Sequence, residues 1–281
     1  GVDVGSDADA WNTAVEFFRL PIADRTAVTI RDGEAYGYGP FAAERLAASL
    51  GSDTPPDLKE TFSIGPPPGH EPMSRDPAAR FVLSRTPWPV ALPAMAAVMR
   101  RYYDELAALS ARLLAHMSVG LGLAPGSFGG SIDRHTSALR LLRYPPLDPA
   151  DLLPGQLRAG AHSDYGTLTL LRQQSATGGL QVQSAAGEWH DVAVEEGAYV
   201  VNVGDALARW TNDRWRSTVH RVVAPTTIEA AHERHSIAFF HNANWDAMIE
   251  CLPGCVEPGA APRYAPVTAG RHLMDKFRST Q

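Results

Sequence analysis

The chain has 281 residues, 44% of them hydrophobic and 20% charged, which excludes a disordered protein and leaves enough length for a large core. Its 25 Lys+Arg stand against 31 Asp+Glu, and the net charge of -6 argues against a broad nucleic-acid footprint. Two cysteines cannot build a disulfide framework, the longest nearly apolar run (90–99) is half of the roughly 20 residues a membrane span needs, and no basic-plus-apolar leader opens the chain. These features predict a cytoplasmic protein that does not contact a membrane.

In chain order, Trp11, Ala14, Val15 and Phe18 recur at helical spacing and predict a helix over 8–18. Residues 41–50 predict a second, short one. Residues 52–79 hold seven prolines and read as a long irregular segment. Met95, Met99, Tyr102, Leu106, Leu109, Leu113 and Met117 trace a long helix within 92–121, closed by Gly120, Gly122 and Pro125. Beyond about residue 130 the texture changes to short apolar or alternating runs at 138–144, 167–171, 179–183, 189–192, 199–203, 217–223 and 236–241. Such runs, separated by glycine-containing turns, predict a β-sandwich or barrel. Thr268 then N-caps a last helix through Phe277. The predicted fold is mainly β with flanking helices (α+β). A single domain, 1–281, runs from a mainly helical part with the irregular segment (1–128) through a β core (129–261) to a C-terminal helix (262–281).

Inside the β region, His162 and Asp164 stand two apart, so an extended backbone presents their imidazole and carboxylate on one face. His220 lies on a later alternating run that can meet them across a sandwich. Two histidines and one carboxylate on one side of a metal form the facial triad of non-haem Fe(II) oxygenases, which leaves coordination positions open. Arg234 and Ser236 again share a face, and a guanidinium beside a hydroxyl is a fork for a carboxylate. Beside the triad, that fork suits the far end of a small dicarboxylate that chelates iron with its other end. Arg140, Leu142 and Tyr144 alternate on a third strand. Tyr144 is assigned to the same carboxylate, and Arg140 to a substrate carboxylate or the near end of the cosubstrate. Phe128, Leu142, Trp210 and Phe240, with the 52–79 segment, are predicted to wall an apolar substrate pocket.

Together, His162-Ser163-Asp164, His220-Arg221-Val222 and Arg234-His235-Ser236 resemble the HxD…H…RxS signature of Fe(II)/2-oxoglutarate-dependent oxygenases, and most nearly the isopenicillin N synthase-like branch. Leu142-Arg143-Tyr144-Pro145-Pro146, Gly160-Ala161-His162-Ser163-Asp164-Tyr165-Gly166, Gly178-Gly179-Leu180-Gln181-Val182, Val201-Asn202-Val203-Gly204-Asp205 and Arg209-Trp210-Thr211-Asn212 support the likeness. It reaches back to Lys59-Glu60-Thr61-Phe62 and so spans nearly the whole chain. The resemblance implies a distorted double-stranded β-helix (jelly-roll) core. It implies Fe(II) on His162, Asp164 and His220. It also implies 2-oxoglutarate on the iron through its C1 carboxylate and keto oxygen, with the C5 carboxylate on Arg234, Ser236 and Tyr144. The implied reaction uses O2 to hydroxylate, desaturate or cyclise a small-molecule, secondary-metabolite substrate, with release of succinate and CO2.

The sequence departs from the family pattern in three places. The N-terminal strand and Asn-His-Gly-Val stretch usual in the family do not precede the first long helix here, as if the chain were short at that end. Leu142 stands where many plant members carry Asn. The interval from His220 to Arg234 is slightly long, which predicts an enlarged hairpin loop around 226–232. The residues alone leave other readings open. One is an iron oxidase of the isopenicillin N synthase type that uses no 2-oxoglutarate. Others are a non-catalytic jelly-roll ligand-binding module and a zinc hydrolase, for which Glu188, Asp191 and Asp205 are the only candidate bases. Cys251 and Cys255 lack partner ligands, and His235 is predicted to face away from the iron.

Overall fold

Helix α1 (Val4–Arg19) begins where the Asp3 carboxylate accepts from the Ser6 backbone N–H at 2.9 Å, an N-cap about two turns ahead of the buried stripe Ala10, Ala14, Phe17 and Phe18. In this computed structural model, residues 1–70, 76–174, 178–224, 232–256 and 259–278 are described. The short α2 (Ile22–Thr26) follows, then strands β1 (Gly37–Gly39) and β2 (Glu60–Ile64), helix α3 (Ala79–Val82), and the long α4 (Met95–Gly120). Met95, Met99, Tyr102, Leu106 and Leu114 line the buried side of α4. After α5 (Gly129–Ile132) come β3 (Ala138–Tyr144), β4 (Ala159–His162), β5 (Leu168–Gln173), β6 (Leu180–Gln183), β7 (Trp189–Asp191) and β8 (Tyr199–Val203). The chain continues with α6 (Asp205–Trp210), β9 (His220–Val222) and β10 (Arg234–His241). A small β11–β12 pair (Met248–Ile249, Val267–Thr268) and α7 (Ala269–Arg278) complete it.

The strands form a six-stranded sheet, ordered β1-β2-β3-β10-β5-β8, and a four-stranded sheet, ordered β4-β9-β6-β7. Together they make the jelly-roll core. Parity divides the large sheet. Leu139, Leu141, Leu170, Ile237 and Phe239 pack beneath α1 and α4, in one core with Phe17, Tyr102 and Leu106. The alternate residues Arg140, Leu142, Tyr144, Arg234, Ser236, Ala238 and Phe240 line a cavity on the opposite face. No helix among the described residues is long and apolar enough to cross a membrane.

The structure changes two sequence expectations. The helix expected over 41–50 is only a 3-10 turn, Leu46–Leu50, and the helical N-terminal part also supplies two strands to the large sheet. Strand β2 is buried at all five residues, with Phe62 and Ile64 in the first core and Ser63 on the cavity side. The loop expected to enlarge around 226–232 lies, but for His232, outside the described residues.

Candidate active site

Strand β4 ends on His162 and β9 opens on His220, and the sheet register pairs these two residues directly. Their ring centroids are 4.4 Å apart. The Nδ1 of His162 bonds the Gly160 carbonyl at 2.7 Å, and the Nδ1 of His220 bonds the Thr218 carbonyl at 3.1 Å. A carbonyl can only accept, so each Nδ1 carries the proton and each Nε2 presents a lone pair. Asp164 lies just past β4, 4% exposed, with its Oδ1 3.9 Å from the Nε2 of His220. The ligand atoms of His162, Asp164 and His220 all lie within 4.8 Å of one another.

The electrostatics suit a cation. Burial, and after it the neighbouring His220, pushes His162 down to about 3, so its ring is a neutral ligand at physiological pH. Burial alone would raise Asp164. His220, His162 and hydrogen bonds from Asn202 and Thr169 outweigh it and hold the carboxyl below its usual range. The Asn202 bond is 2.6 Å, from Nδ2 to the Asp164 Oδ2. It fixes the carboxylate while leaving Oδ1 toward the histidines.

Three backbone hydrogen bonds help hold the loop carrying Asp164. The Asp205 N–H donates to the Asp164 carbonyl at 2.7 Å, the Gly204 N–H to the Thr167 carbonyl at 2.9 Å, and the Thr167 N–H to the His241 carbonyl at 2.7 Å. A Cβ on Gly204 would sit 2.3 Å from the Gly166 oxygen, and one on Gly166 would sit 2.3 Å from the His241 oxygen. Glycine is required at both because three backbones touch there.

At the other end of the cavity, Arg234 is 1% exposed. Its Nε donates to the Gly178 carbonyl at 3.2 Å and its Nη2 to the Gln173 Oε1 at 3.1 Å, while its Nη1 is buried with no hydrogen-bond partner. The guanidinium carbon lies 4.8 Å from the Tyr144 ring centre, across a register that pairs these two residues. Ser236 lines the same space. A buried guanidinium with an unpartnered N–H and only neutral acceptors is a waiting anion site. The donor set and this arginine share one cavity of about 1250 Å³.

Leu142 and Phe240 wall that cavity as expected, with Leu171, Val182 and Val200. Phe128 and Trp210 do not. They pack against each other, tilted by 46° with ring centroids 5.2 Å apart, in a separate core with Leu114 and Leu207, and the Trp210 indole N–H donates to the Met248 carbonyl at 3.1 Å. Helix α6 turns Trp210 away from the cavity, so both aromatics are structural. His235 faces away from the cavity as parity requires, its Nε2 2.8 Å from the Glu233 carboxylate.

The sequence reading missed three charged residues at the site. Glu44 and Lys59 line the cavity beside Arg140, and Asp57 braces Lys59 at 2.6 Å. All three come from irregular chain with no periodicity to announce them. It also gave no role to Asn202, though an amide on an otherwise apolar inward face of β8, beside Val200, was a usable signal.

Comparison with known proteins agrees with this geometry. Residues 135–243 match the family model of the 2OG-Fe(II) oxygenase superfamily, and residues 1–90 match that of the non-haem dioxygenase in morphine synthesis N-terminal region. A 2-oxoglutarate-Fe(II) type oxidoreductase of Emericella nidulans is 31% identical over 275 residues, covering 96% of this chain and 76% of the relative. A proline hydroxylase of Petromyces alliaceus is 31% identical over 281 residues, covering 96% of this chain and 83% of the relative. Among solved structures, a full-length Neurospora crassa protein in complex with alpha-KG and thymine superposes with a TM-score of 0.84 at 33% identity, covering 99% of this chain and 84% of that one.

Proposed function

Because the chain belongs to the 2OG-Fe(II) oxygenase superfamily, we propose that His162, Asp164 and His220 are its Fe(II) ligands and that Arg234, Ser236 and Tyr144 grip the C5 carboxylate of 2-oxoglutarate. The enzyme is an Fe(II)/2-oxoglutarate-dependent dioxygenase that oxidises a small molecule. When bound, iron and 2-oxoglutarate supply an O2-derived oxidant able to break a C–H bond, with succinate and CO2 as by-products. The protein's own part is orientation and exclusion of water. The two Nδ1–carbonyl bonds aim the imidazoles, Asn202 fixes Asp164, and Arg234 sets the direction of the cosubstrate. Leu142, Leu171, Val200 and Phe240 keep the reacting carbon in an apolar chamber.

The observation that carries the cosubstrate assignment is the unpartnered Nη1 of buried Arg234 in the same cavity as the donor set. The thymine bound to the Neurospora crassa neighbour and the proline named for the Petromyces alliaceus relative support a small polar ring compound as substrate. Both cysteines are free thiols, which suits a reducing cytoplasm. Anaerobic titration of the protein with Fe(II) and 2-oxoglutarate should give a visible charge-transfer band, and turnover should release succinate in equal amount to oxidised product. Product without succinate would show instead that Arg234 anchors the substrate.

A further inference from the structure

Away from Arg234, Arg140, Glu44 and Lys59 cluster on the cavity wall, with Asp57 behind them. Arg140 stands four residues from Tyr144 on β3, about 13 Å along the strand at ~3.3 Å per residue. It is therefore too far from Arg234 and Tyr144 to share their anion. Its Nη2 pairs with the Oε1 of Glu44, and its Nε donates to the Ser63 hydroxyl at 3.1 Å. Nη1 has no partner among the described residues. Behind this pair, the Lys59 ammonium lies 3.3 Å from Glu44 Oε2 and 2.6 Å from Asp57 Oδ2. Asp57 accepts in turn from the Gly160 N–H at 2.9 Å and the Leu46 N–H at 3.2 Å, which ties the network to β4 and to the 3-10 turn. Lys59 and Asp57 are fully enclosed, whereas Glu44 is 28% and Arg140 21% exposed by side chain, so only the latter pair can meet a ligand.

The charges of this cluster, Arg140 and Lys59 against Glu44 and Asp57, cancel. A plain carboxylate brought to Arg140 would lie against the Glu44 carboxylate, and an amine brought to Glu44 would meet the guanidinium. A ligand carrying donor and acceptor together meets neither conflict: its oxygen takes the free Nη1 of Arg140 while its N–H reaches Glu44. We infer that Glu44 and Arg140 form the substrate-selecting pair of this enzyme and that they select a small molecule of no net charge with an N–H donor and an oxygen acceptor side by side. That chemistry is shared by the cis-amide edge of a lactam or imide and by the ammonium–carboxylate pair of an amino acid. The inference rests on the dioxygenase reading and narrows its substrate class.

The test uses the full chain loaded with Mn(II) and 2-oxoglutarate and three six-membered-ring probes: 2-piperidone, pipecolate and cyclohexanecarboxylate. Calorimetry should show the lactam or the amino acid bound at least roughly tenfold more tightly than the acid, and which of the two binds better identifies the donor–acceptor source. Glu44→Gln removes the negative partner and should reverse the order in favour of cyclohexanecarboxylate. Adding Arg140→Gln should abolish that gained acid binding, which a misfolded variant would not imitate. Preference of the wild type for the acid, an unchanged order in Glu44→Gln, or no binding of any probe at millimolar concentration overturns the inference. Mn(II) and 2-oxoglutarate titrations of the same samples keep the two readings apart. Their failure in the wild type would remove the dioxygenase assignment, whereas normal cosubstrate binding with an unaltered probe order removes the selecting pair alone.

Discussion

Replacing Arg234 by methionine should cost the enzyme its cosubstrate without costing the apoprotein its fold. The guanidinium is 1% exposed and meets only neutral partners, the Gly178 carbonyl and the Gln173 amide, with the Tyr144 ring against its face. No carboxylate pairs with it among the described residues. A buried charge without a counter-ion is penalised by several kcal/mol, and an apolar side chain of similar volume escapes that penalty. The substitution leaves the Gly178 and Gln173 oxygens unmatched at about 1–3 kcal/mol each, so the two effects roughly offset in the apoprotein. With 2-oxoglutarate bound, the counter-ion is present and its loss is not offset. Truncating one side of a desolvated charge pair costs about 2–5 kcal/mol, or roughly 30-fold to several thousand-fold in Kd. Calorimetry of the Mn(II)-loaded protein measures the Kd, and urea unfolding with and without 2-oxoglutarate measures stability. The stabilisation of about 2.7 kcal/mol that a ligand at 100 times its Kd gives should vanish in the variant. An unchanged 2-oxoglutarate affinity refutes the carboxylate role. An apoprotein weakened by more than about 4 kcal/mol refutes the unpaired-charge argument.

Asn202→Ala removes the donor that fixes Asp164 and should lower Mn(II) affinity by roughly 10- to 100-fold in a folded protein; equal affinity would make that bond incidental. Phe128→Ala should destabilise by about 3–5 kcal/mol in urea with 2-oxoglutarate binding unchanged, whereas a binding loss at constant stability would return Phe128 to the cavity wall. Acid sensitivity follows from two buried histidines. Burial, and then His70, takes His135 down to about 4; burial, and then Arg209, takes His272 down to about 4. The unfolded chain holds those protons from about pH 6.5, so the stability these groups contribute is complete above that value and drains away as pH falls toward 4. By about pH 5 each should have removed about 2 kcal/mol, and denaturant midpoints that match at pH 7 and pH 5 would contradict this.

The inward faces are legible in the sequence because strand geometry has a period of two. It places His162 with Asp164, Arg234 with Ser236, and Arg140 with Leu142 and Tyr144 on common faces without knowledge of the fold. The bounds of β3 and β8 are legible for the same reason. His235 shows the rule from the other side: one residue out of step, it packs against Trp11 and Phe18 instead of the cavity. What the pattern does not carry is direction in irregular chain. Glu44 and Lys59 reach the site only because the Leu46–Leu50 turn docks on β4 through Asp57. The pattern misplaces Trp210 and Phe128 because an aromatic beside a motif carries no sign of which way its backbone turns, and here α6 aims Trp210 at the second core. Strand β2 does alternate, at Thr61-Phe62-Ser63-Ile64, but four such residues inside a proline-rich segment are too short a run to stand out.

On the proposed ligand set, how long the enzyme keeps its iron should depend on local opening of the thin sheet as well as on ligand chemistry. The long helix and the first core brace the six-stranded sheet, but both proposed imidazole ligands sit on the four-stranded one, whose strands are three or four residues long and mostly half-exposed. Such thin layers open locally far more often than the whole protein unfolds. Each opening of β4 from β9 would part His162 from His220 and leave an ion held there on Asp164 and a single ring. A bound ion would conversely hold the two strands in register, because a slip of one residue would turn an imidazole out of the jelly roll. Metal release should therefore track amide exchange in β4 and β9, and substitutions that tighten the distant β6–β7 edge should slow it without touching a ligand.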